Sequence, residues 1–338
     1  MLVVMQSDAT REQIAQVLEE IKRLELTPHP LPGSTRTAIG ITGNTGAVDA
    51  RVLEVLPGVK ECIRVTKPFK LASREMHPAD TVVELPQAKI GPGTFTIIAG
   101  PCSVENEAMI QKTAEFLLAN GVKLLRAGAF KPRTSPYAFQ GMGLEGLEIL
   151  RRVKERTGIG IVTELMDTDN ADAVEEVADV IQIGTRNMQN FSLLRRVSLA
   201  RKPVLLKRGM SATVKDLLMS AEYVLSSGNP DVVLCERGVR SFEDSTRNML
   251  DMSAVPNVKG QSHLPIIVDP SHATGRPDLI PPMARAAVAA GADGVHVEVH
   301  NCPEKALSDG PQALLPDQYC KLMADVRRLA DAIGASIG

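Results

Sequence analysis

Short apolar runs alternate with amphipathic segments from about residue 93 to the end of the chain. Each run has four to eight aliphatic and β-branched residues, and most are followed by Gly, Pro or a charge. Because the centres of most runs lack polar/apolar alternation, we expect strands that are buried on both faces of a parallel sheet. The predicted strands are 94–101, 122–129, 159–166, 180–186, 203–209, 232–238, 264–272 and 294–300.

The segments between these strands have helical period. We expect helices at 108–120, 143–156, 214–226 and 282–290. Eight strands that alternate with helices predict an α/β fold, the (β/α)8 or TIM barrel. An open doubly wound sheet is the structural alternative, but the GxGxxG turn that usually follows its first strand is missing from the sequence.

The first 65 residues follow a different pattern. A strand at MLVVMQ precedes a helix over Arg11–Leu24, with a capping signal at Ser7-Asp8. A Pro-rich turn, TPHPLPGS, leads to a strand at TAIGITG, a helix around Val48–Leu56 and a strand at VKECIRV. These elements are three strands and two helices, and we interpret them as belonging to a small ferredoxin-like βαββαβ domain that precedes the barrel.

Three parts of the chain are therefore expected. They are a ferredoxin-like regulatory domain at 1–65, a connector at 66–92 and the catalytic (β/α)8 barrel at 93–338. Within the connector, TVVEL and AKIGPG are expected to form a hairpin that closes the bottom of the barrel.

Composition narrows the function classes. A net charge of −2 argues against a nucleic-acid or anionic-membrane surface. We find no signal peptide and no stretch near the ~20 apolar residues that a membrane span needs. The five cysteines are scattered without a CxxC pair, which favours reduced thiols and a cytoplasmic location.

Charged residues concentrate where the predicted strands end, which is where (β/α)8 enzymes place their catalytic groups. The cations in these positions are Arg126, Lys131, Arg133, Arg186, Lys207 and Arg237. So many cations around one mouth require an anion, and Arg and Lys together suit phosphate and carboxylate groups. Lys207 could alternatively form a Schiff base, as the lysine of a barrel aldolase does.

A second group of strand-end residues has the chemistry of a metal site. Strands 1, 7 and 8, which become neighbours when the barrel closes, and the loop after strand 8 carry Cys102, His272, Glu298 and Asp309. A thiolate, an imidazole and two carboxylates suit a borderline divalent ion such as Zn2+, Fe2+, Mn2+ or Co2+. His296 and His300 share strand 8 and are expected to be supporting or structural residues.

Seven motifs in this order resemble the 3-deoxy-D-arabino-heptulosonate-7-phosphate synthase family. They are AGPCS (99–103), KPRTSP (131–136), QIGTRNMQNF (182–191), LLKRG (205–209), CERG (235–238), DPSH (269–272) and EVH (298–300). The similarity covers the whole chain, including the ferredoxin-like domain of one subgroup. It implies a cytoplasmic enzyme that condenses phosphoenolpyruvate with erythrose 4-phosphate, with a divalent metal, in the first step of the shikimate pathway.

The resemblance also implies a role for each matched residue. Cys102, His272, Glu298 and Asp309 would bind the metal. The phosphoenolpyruvate carboxylate would be held by Arg126, Lys131 and Lys207, and its phosphate by Arg186, Arg237 and backbone N–H groups near Thr185. Arg133 and Thr134 would hold erythrose 4-phosphate, and Glu164 would position the attacking water with Lys207. Lys207 and His272 remain alternatives for proton transfer.

Regulation and assembly are the further implications. The family suggests a homotetramer and feedback inhibition by tyrosine or phenylalanine. We expect the effector near the Pro-rich turn, where His29 and Ser34 flank apolar Leu31. The rival interpretations are 3-deoxy-D-manno-octulosonate-8-phosphate synthase, which typically has KANR[ST]S in place of KPRTS and lacks the N-terminal domain, and a catalytically silent amino-acid sensor.

Overall fold

The computed structural model describes residues 1–32, 36–44, 48–65, 67–133 and 135–338. The chain divides into two compact units. The first comprises Met1–Ala79 together with Gln261–His263, and the second comprises Asp80–Gly260 and Leu264–Gly338.

The first unit contains a four-stranded antiparallel sheet with strand order β2-β3-β1-β4. Its elements are β1 (Leu2–Met5), α1 (Arg11–Arg23), β2 (Thr27–Pro32), β3 (Thr37–Thr42), α2 (Arg51–Glu54) and β4 (Val59–Ile63). The apolar stripe of α1 buries Val17 and Ile21 against Val3 of β1 and Ile39 of β3. This order and this core are those of a ferredoxin-like fold.

The segment TPHPLP is a strand and not the turn that its prolines suggested. β2 lies at an edge of the sheet and pairs only with β3, with Pro28 opposite Ile41 and Pro30 opposite Ile39. Since proline has no N–H, an edge strand can hold it wherever the N–H would face away from the partner strand. The alternate spacing of Pro28, Pro30 and Pro32 meets this condition along the whole strand.

The cap of α1 also differs from the expectation. Thr10, rather than Ser7 or Asp8, is the N-cap, and its hydroxyl accepts a hydrogen bond from the backbone N–H of Gln13. The Gln13 side chain accepts in return from the backbone N–H of Thr10, at 2.9 Å. This reciprocal pair satisfies two N–H groups that the helix would leave open, so the helix begins at Arg11.

The second unit is a closed barrel of eight parallel strands, in which the last strand pairs with the first from Gly294↔Thr96 to Glu298↔Gly100. The barrel strands are β7 (Thr94–Gly100), β8 (Leu124–Arg126), β9 (Gly160–Leu165), β10 (Val180–Ile183), β11 (Val204–Lys207), β12 (Val232–Glu236), β13 (Ile266–Val268) and β14 (Gly294–Glu298). The α-helices from residue 107 onward are α3 (Glu107–Ala119), α4 (Gly143–Thr157), α5 (Ala171–Val177), α6 (Phe191–Ser198), α7 (Val214–Ser226), α8 (Ala254–Gln261), α9 (Pro270–Thr274), α10 (Ile280–Ala289) and α11 (Pro316–Ala332).

A hairpin of β5 (Val83–Glu84) and β6 (Lys89–Ile90) packs into one end of the barrel. Val83 and Ile90 belong to the same buried cluster as Leu124, Leu205 and other inward-facing strand residues. This apolar floor leaves the opposite end, where the strands finish, available for polar side chains. A short final strand, β15 (Ser336–Ile337), pairs with the start of β7.

Among the described residues, no helix combines the length and the apolar character required to cross a lipid bilayer.

Candidate functional site

A polar cavity lies at the end of the barrel where the strands finish. Its lining residues are Arg126, Lys131, Pro132, Arg133, Glu164, Gln182, Gly184, Thr185, Arg186, Lys207, Met210, Arg237, Arg247, His272 and Asp309. Seven of these side chains are cationic and two are carboxylates. The cavity therefore carries an excess of positive charge in a chain whose net charge is −2.

Strand periodicity explains why charged side chains converge here. Leu124, Leu205 and Cys235 face the barrel core, and two residues later come Arg126, Lys207 and Arg237. Because side chains alternate between the two faces of a strand, a residue two positions beyond a core residue also faces inward, one layer higher. On these three strands, the last inward position thus delivers a positive charge to the cavity.

The carboxylate of Asp269 is the most highly connected group of the site. It is fully buried, and its Oδ2 forms an ion pair with Lys207 Nζ. The same oxygen accepts a hydrogen bond from His272 Nδ1 at 2.8 Å, while Oδ1 accepts from the His272 backbone N–H at 2.9 Å. His296 Nδ1 lies 3.2 Å from Oδ2. The interactions with His272 and Lys207 outweigh the effect of burial and hold the pKa of Asp269 well below its usual range.

Cys102, His272, Glu298 and Asp309 come together as one cluster, with a possible ligand atom of each within 4.8 Å of all the others. Since a carboxylate only accepts hydrogen bonds, His272 Nδ1 carries the proton that it donates to Asp269. Nε2 is then the basic nitrogen, and it lies 3.3 Å from Glu298 Oε1 and 3.8 Å from Asp309 Oδ2. A carboxylate that orients a histidine in this way is the usual support of a metal ligand.

The donor set fits a divalent ion. The thiol Sγ of Cys102 lies 3.0 Å from Ser308 Oγ and 3.3 Å from Asp309 Oδ2. One sulfur, one imidazole nitrogen and two carboxylates match the preferences of Zn2+, Fe2+, Co2+ and Mn2+. The four donor atoms lie within 4.8 Å of one another and two of them belong to carboxylates, an arrangement that a cation would stabilise.

The protonation states in this cluster follow from burial and from nearby charge. Burial raises the pKa of the Cys102 thiol above its ordinary value of 9.0. Burial lowers the pKa of His272, which keeps the imidazole neutral near pH 7. For Asp309, burial is outweighed by His272, Arg247 and Lys131, which hold the pKa at about 2.

The two buried arginines of the cavity differ in their partners. Arg126 forms an ion pair with Glu298 at 2.7 Å. Arg237 donates only to the carbonyl oxygens of Gly238 and His272, at 3.5 and 3.3 Å, and among the described residues its Nε has no hydrogen-bond partner. Burial lowers the pKa of Arg237. A buried guanidinium without a carboxylate partner is a strong candidate for binding an external anion.

The remaining predicted cations also reach the cavity. Lys131 Nζ donates to the Cys102 carbonyl at 3.0 Å, and Arg133 Nε donates to the Phe139 carbonyl at 3.0 Å. Arg186 is exposed and follows Thr185 at the start of a 3-10 turn. Thr134 lies outside the described residues.

Glu164 lines the cavity and accepts a hydrogen bond from Gln182 Nε2 at 3.4 Å. Gly184 passes so close to Glu164 that a Cβ there would collide with the Glu164 Oε1 atom. A larger residue at 184 would therefore displace the carboxylate. This close approach gives a physical reason for the glycine in the motif QIGTRN.

Sequence reasoning missed two residues of the site. Arg247 lies in the long loop after β12 and lines the cavity, and its Nη1 is 3.4 Å from Asp309 Oδ1. Gln312 follows the Asp309 turn and contacts Glu298. Neither residue stands at a strand end, so the barrel topology alone could not single them out. Glu236, at the end of β12, instead forms a buried ion pair with Arg208 at 2.7 Å and does not line the cavity.

His29 belongs to the first unit. Its half-buried ring contacts Thr42 of β3, with Nε2 2.7 Å from the threonine hydroxyl. Burial lowers the pKa of His29, so the ring is neutral near pH 7. Ser34 lies outside the described residues.

A closed (β/α)8 barrel with this cationic mouth and this ligand cluster defines the class of the protein as a barrel enzyme for anionic substrates. Residues 73–333 match the DAHP synthetase I family, and residues 1–67 match the DAHP synthase ferredoxin-like domain. The chain belongs to the DAHP synthetase I family, whose members are metal-dependent and form a carbon–carbon bond.

Relatives from Thermotoga maritima extend over the full chain. A phospho-2-dehydro-3-deoxyheptonate aldolase of this organism is 52% identical over 337 residues and covers 100% of both chains. The crystal structure of a DAHP synthase from the same organism superposes with a TM-score of 0.80, with 51% identity over 100% of this chain and 99% of that chain. A truncated form of the Thermotoga enzyme has a TM-score of 0.75 and covers 80% of this chain and 99% of its own.

A more distant relative lacks this full-length match. A 2-dehydro-3-deoxyphosphooctonate aldolase from Geotalea daltonii is 34% identical over 262 residues, covering 72% of this chain and 94% of its own length.

The protonation states above predict the proton balance of metal binding. Addition of Co2+ or Zn2+ to chelator-treated protein should release about one proton per ion at pH 7, because only the Cys102 thiol must lose one. Because the pKa of the Cys102 thiol is raised, the apparent affinity for the metal ion should increase with pH over the whole range below that pKa. Calorimetry in buffers of different ionisation enthalpy measures the release. Cys102→Ser should abolish it, and wild-type protein that binds the ion without releasing a proton would remove the thiol from the ligand set.

Proposed function

We propose that this chain condenses phosphoenolpyruvate with erythrose 4-phosphate to give 3-deoxy-D-arabino-heptulosonate 7-phosphate and inorganic phosphate, the first step of the shikimate pathway. The observation that carries the proposal is the convergence of seven cations on one cavity beside a four-residue ligand cluster. Two phosphorylated substrates, one of them also a carboxylate, supply the negative charge that this cavity lacks. Membership of the DAHP synthetase I family supports the same reaction.

Phosphoenolpyruvate is bound at both of its anionic ends. Arg126, Lys131 and Lys207 hold the carboxylate at the deep end, where Arg126 and Lys207 are buried. Arg186 and Arg237 hold the phosphate, together with backbone N–H groups near Thr185. The absence of a carboxylate partner for Arg237 among the described residues supports this assignment, since such a guanidinium gains most from an incoming phosphate.

Erythrose 4-phosphate is held by the segment that follows β8, chiefly by Arg133 and Thr134. Its aldehyde end points towards the ligand cluster of Cys102, His272, Glu298 and Asp309, which would hold a divalent ion such as Mn2+, Co2+, Fe2+ or Zn2+. When bound there, the ion acts as a Lewis acid that polarises the aldehyde oxygen.

The reaction proceeds from this arrangement of the two substrates. The C2=C3 electron pair of phosphoenolpyruvate forms the new carbon–carbon bond to the aldehyde carbon, and positive charge develops at C2. The π pair of the aldehyde moves onto its oxygen, which takes up a proton to become a hydroxyl group. Water adds at C2 and loses a proton, and the resulting hemiketal phosphate breaks its C–O bond to release inorganic phosphate. The cations lower the barrier mainly by holding both substrates with the reacting carbons in contact.

Glu164 and Lys207 position the water that attacks C2. Glu164 is held by Gln182 and by the close approach of Gly184. We assign proton transfer to Lys207 rather than to His272, because His272 Nε2 faces the other ligand groups and Nδ1 is committed to Asp269. A Schiff base on Lys207 is disfavoured by its ion pair with Asp269, since imine formation requires a neutral amine.

The function is tested by measuring phosphoenolpyruvate consumption and phosphate release with two aldose phosphates. Erythrose 4-phosphate should be the better substrate, and EDTA should abolish turnover until Mn2+ or Co2+ is added. Preference for arabinose 5-phosphate would instead identify an octulosonate-phosphate synthase. The comparisons do not favour this alternative, because the octulosonate relative is 34% identical and the heptonate relative is 52% identical. A protein without turnover on either sugar would be a sensor on the same fold.

The division of the cations predicts separate kinetic effects. Arg186→Ala should raise the KM for phosphoenolpyruvate by about 10- to 100-fold, because it removes charge-assisted hydrogen bonds worth ~1.5–3 kcal/mol each. Arg133→Ala should act mainly on the KM for erythrose 4-phosphate. Initial rates measured with each substrate varied in turn distinguish the two effects. Equal increases in the same KM for both variants would refute the division.

We further propose that residues 1–65 regulate the barrel and that an aromatic amino acid is the effector. This segment contains none of the proposed catalytic residues, although it forms a sheet with its own core. His29, neutral and half-buried beside Leu31, offers one polar contact near an apolar surface for such a ligand. The enzyme is expected to act as a homotetramer in the cytoplasm, which sedimentation and cell fractionation can test.

Deletion of residues 1–65 should leave turnover largely intact and remove inhibition by tyrosine or phenylalanine. An effector inhibits only if it favours a conformation with lower activity, so the deleted segment must contribute to that preference. A truncated form of the Thermotoga enzyme, which covers 80% of this chain, shows that a shortened relative still folds. Rates measured with and without each aromatic amino acid provide the test. Insensitivity of the intact enzyme to all of them, and to chorismate and prephenate, would leave the segment with a structural role.

A further inference from the structure

Gln312 is a buried residue that belongs to none of the motifs identified in the sequence. It stands three residues after Asp309, in the loop between β14 and α11. Its backbone N–H donates to the Asp309 carbonyl at 3.1 Å and closes a 3-10 turn over Gly310–Gln312. Asp309 itself has a φ of 52°, in the left-handed region that few non-glycine residues adopt. The turn therefore fixes both Asp309 and Gln312 in one rigid piece of backbone.

The side-chain amide of Gln312 bridges the cavity and the ligand cluster. Its Nε2 donates to Glu298 Oε2 at 2.7 Å, and its Oε1 accepts from Arg247 Nη1 at 2.8 Å. Only one orientation of the amide satisfies both partners. If the amide were reversed, its oxygen would face the Glu298 carboxylate and its NH2 would face the Arg247 guanidinium.

Gln312 supplies the second of two hydrogen bonds that the protein donates to the Glu298 carboxylate. Arg126 Nη1 donates to Oε1 at 2.7 Å, so each oxygen of the buried carboxylate has one donor of its own. Oε1 is also the oxygen that lies 3.3 Å from His272 Nε2. Without Gln312, the Glu298 carboxylate would keep only the hydrogen bond from Arg126 to Oε1 and would be free to rotate. Its Oε2 would then be buried without a hydrogen-bond donor.

We propose that Gln312 is a positioning residue for the metal site. Its amide holds the Glu298 carboxylate in the orientation that would bind the metal, and Arg247 fixes the direction of that amide. This inference rests on the proposed metal-assisted function. Residues that orient a metal ligand by hydrogen bonding typically contribute 10- to 100-fold to metal affinity. Gln312 thus links the ligand cluster to Arg247, a cation that lines the substrate cavity.

The test measures Co2+ affinity in the full-length protein after removal of metal with a chelator. The thiolate-to-cobalt absorption band reports binding at Cys102 without any need for turnover. Gln312→Met keeps the length of the side chain but removes both hydrogen bonds, so the dissociation constant should increase by about 10-fold or more. The kcat of this variant should recover in excess metal more fully than in trace metal, since the catalytic groups themselves are intact.

Two further variants make the result specific. Gln318→Met makes the same chemical change on the exposed first turn of α11, where the side chain only caps Leu315, and should leave the cobalt affinity unchanged. Gln312→Asn keeps the amide on a shorter stem that cannot reach both partners, and it should also weaken binding. It provides the answer if thermal unfolding shows that Gln312→Met does not fold.

Wild-type affinity in both Gln312 variants would overturn the positioning role and leave the proposed reaction untouched. A wild-type protein that binds Co2+ without the thiolate band would instead overturn the metal assignment on which this inference rests. Equal loss in Gln312→Met and Gln318→Met would show a general effect of the substitution and would likewise refute a specific role for Gln312.

Discussion

The rest of the site depends on the interactions that the Asp269 carboxylate forms with Lys207 and His272. It is fully buried, and it binds Lys207 and His272 through one oxygen while the other oxygen caps the short helix that carries His272. A buried charge is costly unless its partners are close and well oriented. The same contacts that offset this cost also set the direction of the lysine and the tautomer of the histidine. In the proposed function, the lysine that binds substrate and the histidine that binds the metal are therefore both held by the same buried carboxylate.

The cationic cavity implies a balance between stability and function. Arg186 and Arg237 form no ion pair with any described residue, and Arg237 is buried, so their positive charges are not neutralised within the described part of the protein. Binding of an anionic ligand would offset this charge and stabilise the native state by an amount that grows with the logarithm of the ratio of ligand concentration to dissociation constant. The apolar floor formed by the hairpin residues Val83 and Ile90 with the strand interior supports this arrangement from below. The well-packed apolar end of the barrel thus supports an accumulation of positive charge at the end where the strands finish.

Much of this architecture could be predicted from the sequence, and the exceptions have physical causes. The barrel topology brings strand ends together, so Cys102 and Glu298 could be grouped although they stand far apart in the chain. Gln312 could not, because its partners depend on the path of a loop, which no periodicity encodes. The segment TPHPLP was assigned to a turn because proline is rare inside sheets, whereas an edge strand accepts it at alternate positions. The sequence predicts the start of α1 at Arg11 correctly, but its cap is Thr10, because the reciprocal side-chain pair of Thr10 and Gln13 outweighs the capping tendency of Ser7-Asp8.

The alternation of proline in β2 has a consequence for the newly made polypeptide. An edge strand ordinarily offers a row of N–H groups to which a strand of another molecule can add, and this is how many incompletely folded proteins begin to aggregate. Pro28, Pro30 and Pro32 have no N–H to offer, and the residues between them are turned towards β3. The N-terminal sheet is synthesised before any strand of the barrel. At this edge of the sheet, β2 therefore offers no outward N–H group to which a strand of another newly made chain could add while the rest of the protein is being synthesised.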